Sequence, residues 1–317
     1  MTELSPRQRF YDLMDGALVS RALGLAAELR VAHALADGPR SVEELAAACG
    51  ANADALRRIL RALASEGVFE EVQPGVIANT EVTVQLLELG VSEFAYLFGG
   101  VFHRAAGALD ASGEATFPRA HGQGFWEWLA SHPDDRAAFD TAMVDGAGPR
   151  ADRLAALEWR GDETVVDVGG GNGSLLVALL PRLPDGVHGI VFDLPETVRD
   201  EPTLGDRIEF TAGSFFDSVP RGDVYILGTI LHNWPDEDAA RILRTIRAAA
   251  PDDARLLVID SVVPAGNERN PVKWLDLLML ALFAGRERDE AQWRALLAET
   301  GFEPVSIRTG LIEAVCR

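Results

Sequence analysis

The sequence predicts an α/β protein in which a mostly parallel β-sheet follows a helical N-terminal part. Beyond residue 162, five short apolar segments alternate with helical patterns, an order typical of strand–helix–strand units. Two further strand-like segments flank a Thr309-Gly310 turn, which predicts an antiparallel hairpin at the end of the sheet. Because the chain has 317 residues, more than one average domain, we expect two domains.

The N-terminal segment, residues 1–98, has the outline of a winged helix. Apolar residues follow helical spacing over residues 5–35. Ser41 and Glu44 then form a capping-box pattern that opens a second helix, and another apolar stripe covers residues 54–66. Residues 67–75 predict a short hairpin after these helices.

A winged-helix outline raises the alternative of a DNA-binding regulator, because the predicted helix over residues 54–66 carries Arg57, Arg58 and Arg61. The overall charge opposes it. Lys and Arg number 29 against 49 Asp and Glu, so the net charge is 29 − 49 = −20, and acids surround the three arginines. Since specific recognition of DNA rests on a broad cationic surface, we expect no nucleic-acid partner.

The sequence gives no sign of a membrane segment or of an oxidising compartment. The first residues are polar and charged, unlike a signal peptide. No uncharged apolar run has the length of a membrane span. Cys49 and Cys316 lie far apart and form no metal-type cluster. We therefore expect a cytoplasmic protein without a bound metal.

Residues 99–157 differ in composition from the rest and combine aromatic residues with helical patterns. Aromatic residues belong more often to a core than to a pocket, although pockets for flat ligands use the same residue types. We expect this segment to be a helical linker that lines a substrate pocket with help from the C-terminal part. The candidate lining residues are Phe125, Trp126, Phe139, Met143, Met279 and Phe283.

Residues 158–317 contain the predicted sheet. Strands are expected over residues 165–168, 189–192, 207–211, 224–228 and 256–259, with the hairpin over 304–308 and 311–315. Helices are expected over residues 175–183, 195–199, 236–249 and 290–300. A parallel sheet that ends in an antiparallel pair departs from the plain dinucleotide-binding topology.

The most informative segment lies where the first of these strands ends. Asp167 stands near the end of the strand, and Gly169, Gly170, Gly171 and Gly173 follow it before an apolar helix. Glycine lets the backbone turn tightly and approach a ligand closely. A glycine-rich turn at the carboxyl end of a parallel strand indicates a nucleotide site, whereas so many glycines would weaken a merely structural turn.

The acid beside the glycines indicates which nucleotide to expect. A dinucleotide fold places pyrophosphate at the helix N-terminus, and Asp167 would repel that group. A carboxylate suits a ligand with a cationic centre instead. The next strand ends in Asp193, about 20 residues farther on, where an acid binds ribose hydroxyls. Asp193 has the alternative role of a helix cap, and it can serve both. Together the two acids favour S-adenosylmethionine.

A second group of residues predicts a catalytic base. The strand over residues 224–228 leads into a short loop with His232 and Trp234, and Pro235 is expected at the first position of the next helix. His232 therefore lies at the carboxyl edge of the sheet, where open α/β proteins bind ligands. A lone histidine is usually structural, but this position favours a general base.

A histidine base works better when a carboxylate orients its other ring nitrogen. Two acids are candidates for that partner. Asp260 ends the strand over residues 256–259, and Glu287 precedes the last helix. Each also has an ordinary explanation, as a turn acid or as an acid at a helix start, so the pattern leaves the choice open.

Five motifs in order extend these observations over the whole chain. They are VDVGGGNG at 166–173, FDLP at 192–195, GSFF at 213–216, LHNW at 231–234 and GRER at 285–288. With them the chain resembles the S-adenosylmethionine-dependent O-methyltransferases of the plant caffeate and bacterial polyketide-tailoring type. The resemblance includes the winged-helix-like front and is specific because the motifs occur jointly.

The resemblance implies a Rossmann-like methyltransferase sheet over residues 158–317 and S-adenosylmethionine as the cofactor. It also implies an all-helical, winged-helix-like dimerisation domain over residues 1–98, and hence a homodimer. His232 would be the base, flanked by Asp260 and Glu287. Asp193 would bind ribose and Phe215 adenine. The full set of implied cofactor-binding residues is Asp167, Gly169, Gly170, Gly171, Asp193, Leu194, Gly213, Ser214, Phe215 and Trp234.

The sequence departs from the family pattern at several positions. Ser214 stands where an aspartate usually faces adenine, and Gly228 replaces a frequent lysine. Asn233 replaces the aspartate after the histidine, and Asp260 is one methylene shorter than the usual glutamate. These positions bear on the adenine contacts and on the strength of the base.

The expected function is methylation of a hydroxyl on an aromatic or polyketide-like small molecule. One alternative keeps the fold and the cofactor but performs another tailoring reaction, such as hydroxylation, decarboxylation or a pericyclic step. The winged-helix regulator is a minor alternative.

Overall fold

The computed structural model describes residues 5–144, 146–195, 197 and 205–317, which fall into two units. One unit comprises Met1–Gly107 and Trp126–Asp145, and the other comprises Ala108–Phe125 and Gly146–Arg317. The helical segment expected over residues 99–157 thus contributes to both units. Its boundaries as a separate linker stay a prediction.

The helices and strands of the described residues alternate much as the sequence predicts. The α-helices are α1 (Pro6–Glu28), α2 (Val31–Ala34), α3 (Val42–Cys49), α4 (Ala53–Ser65), α5 (Val91–Leu97), α6 (His103–Gly107), α7 (Phe117–His121), α8 (Phe125–Ser131), α9 (Pro133–Val144), α10 (Ala147–Ala155), α11 (Ser174–Leu179), α12 (Asp236–Ala249), α13 (Pro271–Phe283) and α14 (Glu290–Glu299). The strands are β1 (Arg40–Ser41), β2 (Phe69–Gln73), β3 (Val76–Asn79), β4 (Thr164–Val168), β5 (His188–Asp193), β6 (Ile208–Ala212), β7 (Val224–Gly228), β8 (Arg255–Ile259), β9 (Phe302–Arg308) and β10 (Leu311–Cys316).

The first unit confirms the winged-helix outline with one correction. The Ser41 hydroxyl accepts from the backbone N–H of Glu44, whose carboxylate accepts from the N–H of Ser41, so the predicted capping box opens α3. The hairpin β2–β3 follows α4 and takes up β1 as a third strand, in the order β1-β3-β2. The segment implied to be all helical therefore contains a small antiparallel sheet.

The long first helix exposes apolar side chains along its N-terminal half. The apolar spacing over residues 5–35 corresponds to two helices, because Arg30 takes a left-handed conformation, φ 54°, between α1 and α2. In α1 the exposed apolar side chains are Phe10, Tyr11, Leu13, Met14 and Leu18. An exposed row of large apolar side chains is typical of an interaction surface.

The second unit is built on the predicted sheet, whose strand order is β6-β5-β4-β7-β8-β10-β9. The pairs among β4 to β8 are parallel, and β10 is antiparallel to both β8 and β9. The central strands are apolar on both faces because helices cover both sides. This order brings the carboxyl ends of β5, β4, β7 and β8 side by side.

Two helix predictions need correction, one helix was not predicted, and one further prediction lies mostly outside the described residues. The helix expected over residues 175–183 ends as α-helix at Leu179, since Pro181 cannot supply a backbone N–H within it. Pro235 is the extended N-cap of α12, not its first helical residue. Helix α13 was not predicted, because it is apolar nearly all round and lacks an amphipathic period. The helix expected over residues 195–199 falls mostly on residues that are not described.

Candidate active site

The glycine turn forms a cradle of bare backbone at the carboxyl end of β4. Gly169 and Gly171 have φ of 74° and 59°, a conformation that side chains rarely allow. The N–H groups of Gly169 and Gly170 donate to the carbonyl of Phe192 at 2.7 and 3.3 Å, which ties the turn to β5. A Cβ on Gly169 would lie 2.5 Å from the side chain of Ile230. The turn therefore presents main chain to a ligand.

Asp193 faces this turn from the end of β5. Its Oδ2 accepts from the N–H of Gly171 at 2.8 Å, and its Oδ1 accepts from the N–H of Leu194 at 2.7 Å. Two backbone donors thus fix the orientation of the carboxylate beside the glycines. The side chain of Leu194 is exposed.

Asp167 is a buried acid beneath the same turn. Its Oδ2 has no hydrogen-bond partner among the described residues, and a Cβ on Gly170 would lie 2.8 Å from it. Burial and then the negative charge of Asp193 raise the pKa of Asp167 to about 7, against the opposing charge of Arg150. A buried acceptor without a donor fits a ligand that brings a donor or a positive charge. The residues present therefore fit S-adenosylmethionine.

Aromatic rings from two strand ends meet beside the cradle. Phe215 and Phe216 follow β6, and Trp234 follows β7. The ring of Trp234 stands edge-on to those of Phe215 and Phe216, at centroid distances of 6.0 and 4.8 Å. Gly213 leaves room for the ring of Phe192, since a Cβ there would lie 2.7 Å from it. The hydroxyl of Ser214 accepts from the N–H of Phe216 at 3.2 Å.

His232 lies in the 3-10 turn Leu231–Asn233 just beyond β7 and is 9% exposed. Its Nδ1 is 2.7 Å from Oε1 of Glu287, a buried carboxylate. Because a carboxylate accepts only, Nδ1 donates in this pair and Nε2 is left as the basic nitrogen. Burial lowers the pKa of His232, but the charge of Asp260 and the bond to Glu287 outweigh it and leave that pKa raised.

The structure distinguishes the two acids that the sequence left open. Glu287 makes the hydrogen bond to His232, whereas both carboxylate oxygens of Asp260 lack a partner within the described part of the chain. Asp260 is 3% exposed, and burial raises its pKa to about 6 while His232 opposes the shift. Glu287 is therefore hydrogen-bonded to the imidazole, whereas Asp260 lies close enough for its charge to raise the pKa of His232.

Two features of the loop around His232 were not predicted from the sequence. Thr229 takes a left-handed conformation, φ 57°, which is unusual for a β-branched residue and typical of strain at functional sites. Its carbonyl accepts from Nδ2 of Asn233 at 3.1 Å. Asn233, which stands in place of an aspartate, thus closes the loop on itself.

The candidate substrate-binding residues form two ring pairs, one in each unit. Phe125 and Phe283 meet edge to face at 5.0 Å, and Phe117 adds a third ring 5.3 Å from Phe125. In the other unit Trp126 and Phe139 meet at 5.8 Å. Of the two methionines, Met279 is buried in α13 and Met143 half-buried in α9. That these residues line one pocket stays a prediction.

No group of three or more His, Cys, Asp or Glu residues within the described ranges could hold a metal ion. In the same ranges, none of the helices combines the length and the apolar character that crossing a membrane requires. The expected cytoplasmic location stays a prediction.

A mostly parallel seven-stranded sheet that ends in an antiparallel pair, with a glycine cradle after its central strand, defines a Rossmann-like methyltransferase. Family comparison agrees. An O-methyltransferase domain matches residues 102–303, and an O-methyltransferase dimerisation domain matches residues 11–88. The chain belongs to the O-methyltransferase family and is an S-adenosylmethionine-dependent enzyme, which confirms the predicted fold, family and cofactor.

Named relatives include bacterial O-methyltransferases. Phenazine O-methyltransferase PhzM of Lysobacter antibioticus is 37% identical, over 92% of this chain and 89% of its own. Mitomycin biosynthesis 6-O-methyltransferase of Streptomyces lavendulae is 39% identical, over 92% and 87%. Among solved structures, the O-methyltransferase NcsB1 from neocarzinostatin biosynthesis, in complex with S-adenosylmethionine and 2-hydroxy-5-methyl naphthoic acid, is 33% identical, covers both chains fully and gives a TM-score of 0.84.

Proposed function

We propose that this enzyme methylates a hydroxyl group of an aromatic or polyketide-like small molecule, with His232 as the general base. The observation that carries the proposal is the buried His232–Glu287 hydrogen bond of 2.7 Å at the carboxyl edge of the sheet. The names of the relatives support the substrate class, since they include enzymes acting on phenazines, mitomycins and naphthoates.

The residues of the cradle are proposed to hold S-adenosylmethionine, which supplies a sulfonium-activated methyl group. Asp193, already oriented by two N–H donors, would accept from the ribose hydroxyls. Asp167 would meet the cationic part of the cofactor, and Phe215 with Trp234 would pack on adenine. The remaining cofactor-binding candidates, Gly169, Gly170, Gly171, Leu194, Gly213 and Ser214, lie on the same strand ends.

Nε2 of His232 would accept the proton of the acceptor hydroxyl as that oxygen receives the methyl group that S-adenosylmethionine would supply, with S-adenosylhomocysteine as the other product. A phenol has a pKa of about 10 and imidazole about 6.5, so complete transfer beforehand is uphill by about 5 kcal/mol. The proton therefore leaves as the oxygen–carbon bond forms. Glu287 and Asp260 stabilise the resulting imidazolium, because both carry negative charge close to it.

The N-terminal unit is proposed to pair with a second copy of the chain. The exposed apolar row of α1 falls largely within the matched dimerisation domain, residues 11–88. Sedimentation of the purified protein should give the mass of a homodimer. A monomer at micromolar concentration would contradict this.

The substitution His232→Ala tests the proposed base. Turnover should fall by about 10²- to 10⁴-fold, while the dissociation constant for S-adenosylmethionine, measured by calorimetry, stays within about twofold of wild type. The matched control is His188→Ala, since His188 is exposed at the start of β5 and should leave turnover unchanged. Unchanged turnover in His232→Ala would remove the base assignment.

The reaction itself is tested by the mass of the product formed from hydroxylated aromatic acceptors. Suitable probes are 1,4-dihydroxy-2-naphthoic acid and 3-amino-4-hydroxybenzoate, taken from relatives. Methylation adds one CH2 and leaves one S-adenosylhomocysteine for each product. A product that gains oxygen or loses carbon dioxide would favour the alternative tailoring reaction instead.

A further inference from the structure

The loop that carries His232 has few hydrogen bonds of its own. The N–H groups of Asn233 and Trp234 donate within the turn at 3.1 and 3.3 Å, and Thr229 before it has a strained backbone. A short turn with one residue in an unfavourable conformation keeps its shape only when its surroundings hold it. The position of the imidazole therefore depends on contacts from outside the loop.

One segment, residues 285–288, supplies several of these contacts. The guanidinium of Arg288 donates to the carbonyls of Leu231 and Trp234, each at 2.9 Å. The backbone N–H of Arg286 donates to the carbonyl of His232, also at 2.9 Å. Three carbonyls of the turn are thus bound by donors of a segment more than fifty residues farther along the chain.

Asp236 completes this arrangement at the start of α12. Its Oδ1 accepts from Nε of Arg288 at 2.9 Å, and its Oδ2 accepts from Nη1 of Arg286 at 2.7 Å. Arg288 is fully buried, and its guanidinium lies 5.3 Å from the ring centroid of Trp293. The planar fork of an arginine can make these bonds at once, which the single ammonium of a lysine cannot.

The same segment carries Glu287, the acid bonded to His232. Arg288 therefore binds the carbonyls of the turn that carries His232, and Glu287, the residue before Arg288, binds the imidazole ring of His232. The geometry points to Arg288, braced by Asp236, as a positioning residue that sets the distance between His232 and Glu287. This inference rests on the proposed role of His232 as the base. The GRER motif predicts a function only for Glu287, and no sequence pattern indicates a role for this arginine.

The test is Arg288→Lys, which keeps the positive charge but loses the fork. Turnover should fall by about 10- to 100-fold, since displacement of a catalytic group by about 1 Å costs that much. The dissociation constant for S-adenosylmethionine should stay within about threefold. The acid limb of the kcat/KM profile should also move to lower pH. A weaker hydrogen bond between Glu287 and His232 raises the pKa of His232 less than the wild-type bond does. Other charged groups near this pair are Asp260, Asp236, Arg286 and Asp276, whose Oδ1 accepts from the N–H of Glu287 at 2.8 Å. They are unchanged in the variant, and lysine keeps the positive charge at position 288.

Arg255 offers a matched control at the opposite end of the sheet. It donates to the carbonyl of Glu158 at 2.8 Å, pairs with Glu163 at 3.4 Å and lies 4.9 Å over the ring of Trp159. Arg255→Lys should lower thermal stability much as Arg288→Lys does but leave turnover and the acid limb unchanged. If the two variants lose turnover equally, or if the acid limb of Arg288→Lys does not move, Arg288 has only a structural role.

Asp236→Asn keeps the inference testable if Arg288→Lys does not fold. Its side chain is half exposed, so the protein should tolerate the change. Turnover should fall by about three- to tenfold with the acid limb displaced in the same direction, and an unmoved limb would overturn the inference. His232→Ala separates the two proposals. Full turnover in that variant would contradict the assignment of His232 as the base. If only the Arg288 proposal is wrong, His232→Ala still loses turnover.

Discussion

The cofactor half and the base half of the site each contain two acids, but the acids are held differently in the two halves. On the cofactor half Asp193 is fixed by two backbone N–H groups, while Asp167 leaves a buried oxygen without a partner. On the base half Glu287 is fixed by the side chain of His232, while both oxygens of Asp260 have no partner in the described part of the chain. Each half thus contains one acid oriented by a hydrogen bond, and on the base half Oε2 of Glu287 also lacks a partner among the described residues.

The difference lies in how the oriented acid is held. Asp193 accepts from two main-chain N–H groups, one in the glycine turn and one at its own strand end. Glu287 depends on a histidine 55 residues away, and that histidine depends on Arg288. The cofactor half should therefore tolerate distant substitutions, and the base half should not.

Glu287→Gln should have the largest effect of the tests of this contrast. Gln keeps a hydrogen-bond acceptor for Nδ1 but removes the charge that stabilises the imidazolium, so turnover should fall by about 10²-fold. The charge also raises the pKa of His232, so the acid limb of kcat/KM should move to lower pH. Glu290→Gln, an exposed acid in the next helix, is the control for pH profiles. An unmoved limb would mean that Glu287 does not act through His232.

Asp193→Ala should have the next largest effect and should change binding, not chemistry. Loss of the bonds to ribose should raise the dissociation constant of S-adenosylmethionine by about 10- to 100-fold. Turnover at saturating cofactor should change only a few-fold, and calorimetry with single-turnover rates separates the two. Asp185→Ala, in the exposed turn before β5, should change neither. A loss of turnover without a loss of affinity would contradict the division into halves.

Of these three substitutions, Asp167→Asn should have the smallest effect on activity. It should also stabilise the folded protein at pH 8. Below about pH 4 the carboxyl is protonated both folded and unfolded and contributes nothing. From its ordinary pKa of 3.8 up to about 7 the unfolded chain releases the proton and the folded protein keeps it, so stability falls as pH rises through this window. Asparagine removes that cost, on the order of 2–4 kcal/mol at pH 8.

The thermal midpoint of Asp167→Asn should accordingly exceed that of wild type at pH 8 and equal it near pH 4. Affinity for S-adenosylmethionine should weaken by about tenfold, because the cationic part of the cofactor loses a charged partner. A variant that is less stable than wild type at pH 8 would show that Asp167 is not a buried acid held at a cost.

The sequence predicted the cofactor half more completely than the base half, for a physical reason. Asp167, the glycines and Asp193 lie within about thirty residues, and their positions follow from strand ends and turns alone. The sheet was predicted for the same reason, since each of its strands is a short apolar run between turn residues. His232 was predicted from its place at the sheet edge.

The partner of His232 could not be chosen in this way. Asp260 and Glu287 both lie at the carboxyl edge, and the choice depends on the path of the chain after α13. That helix escaped prediction because its apolar residues show no period, although Asn270 and Pro271 give a start signal. The role of Arg288 depends on carbonyl positions, which no residue pattern encodes.

The contact of Gly285 with the catalytic turn has a consequence for how such enzymes can diversify. A Cβ at this position would lie 2.2 Å from the carbonyl oxygen of His232, so main chain touches main chain there. Engineering of acceptor specificity should therefore leave Gly285 unchanged and vary the aromatic rings of the candidate substrate-binding residues. Exchange of those rings does not displace His232. New products can then arise from a conserved chemical step.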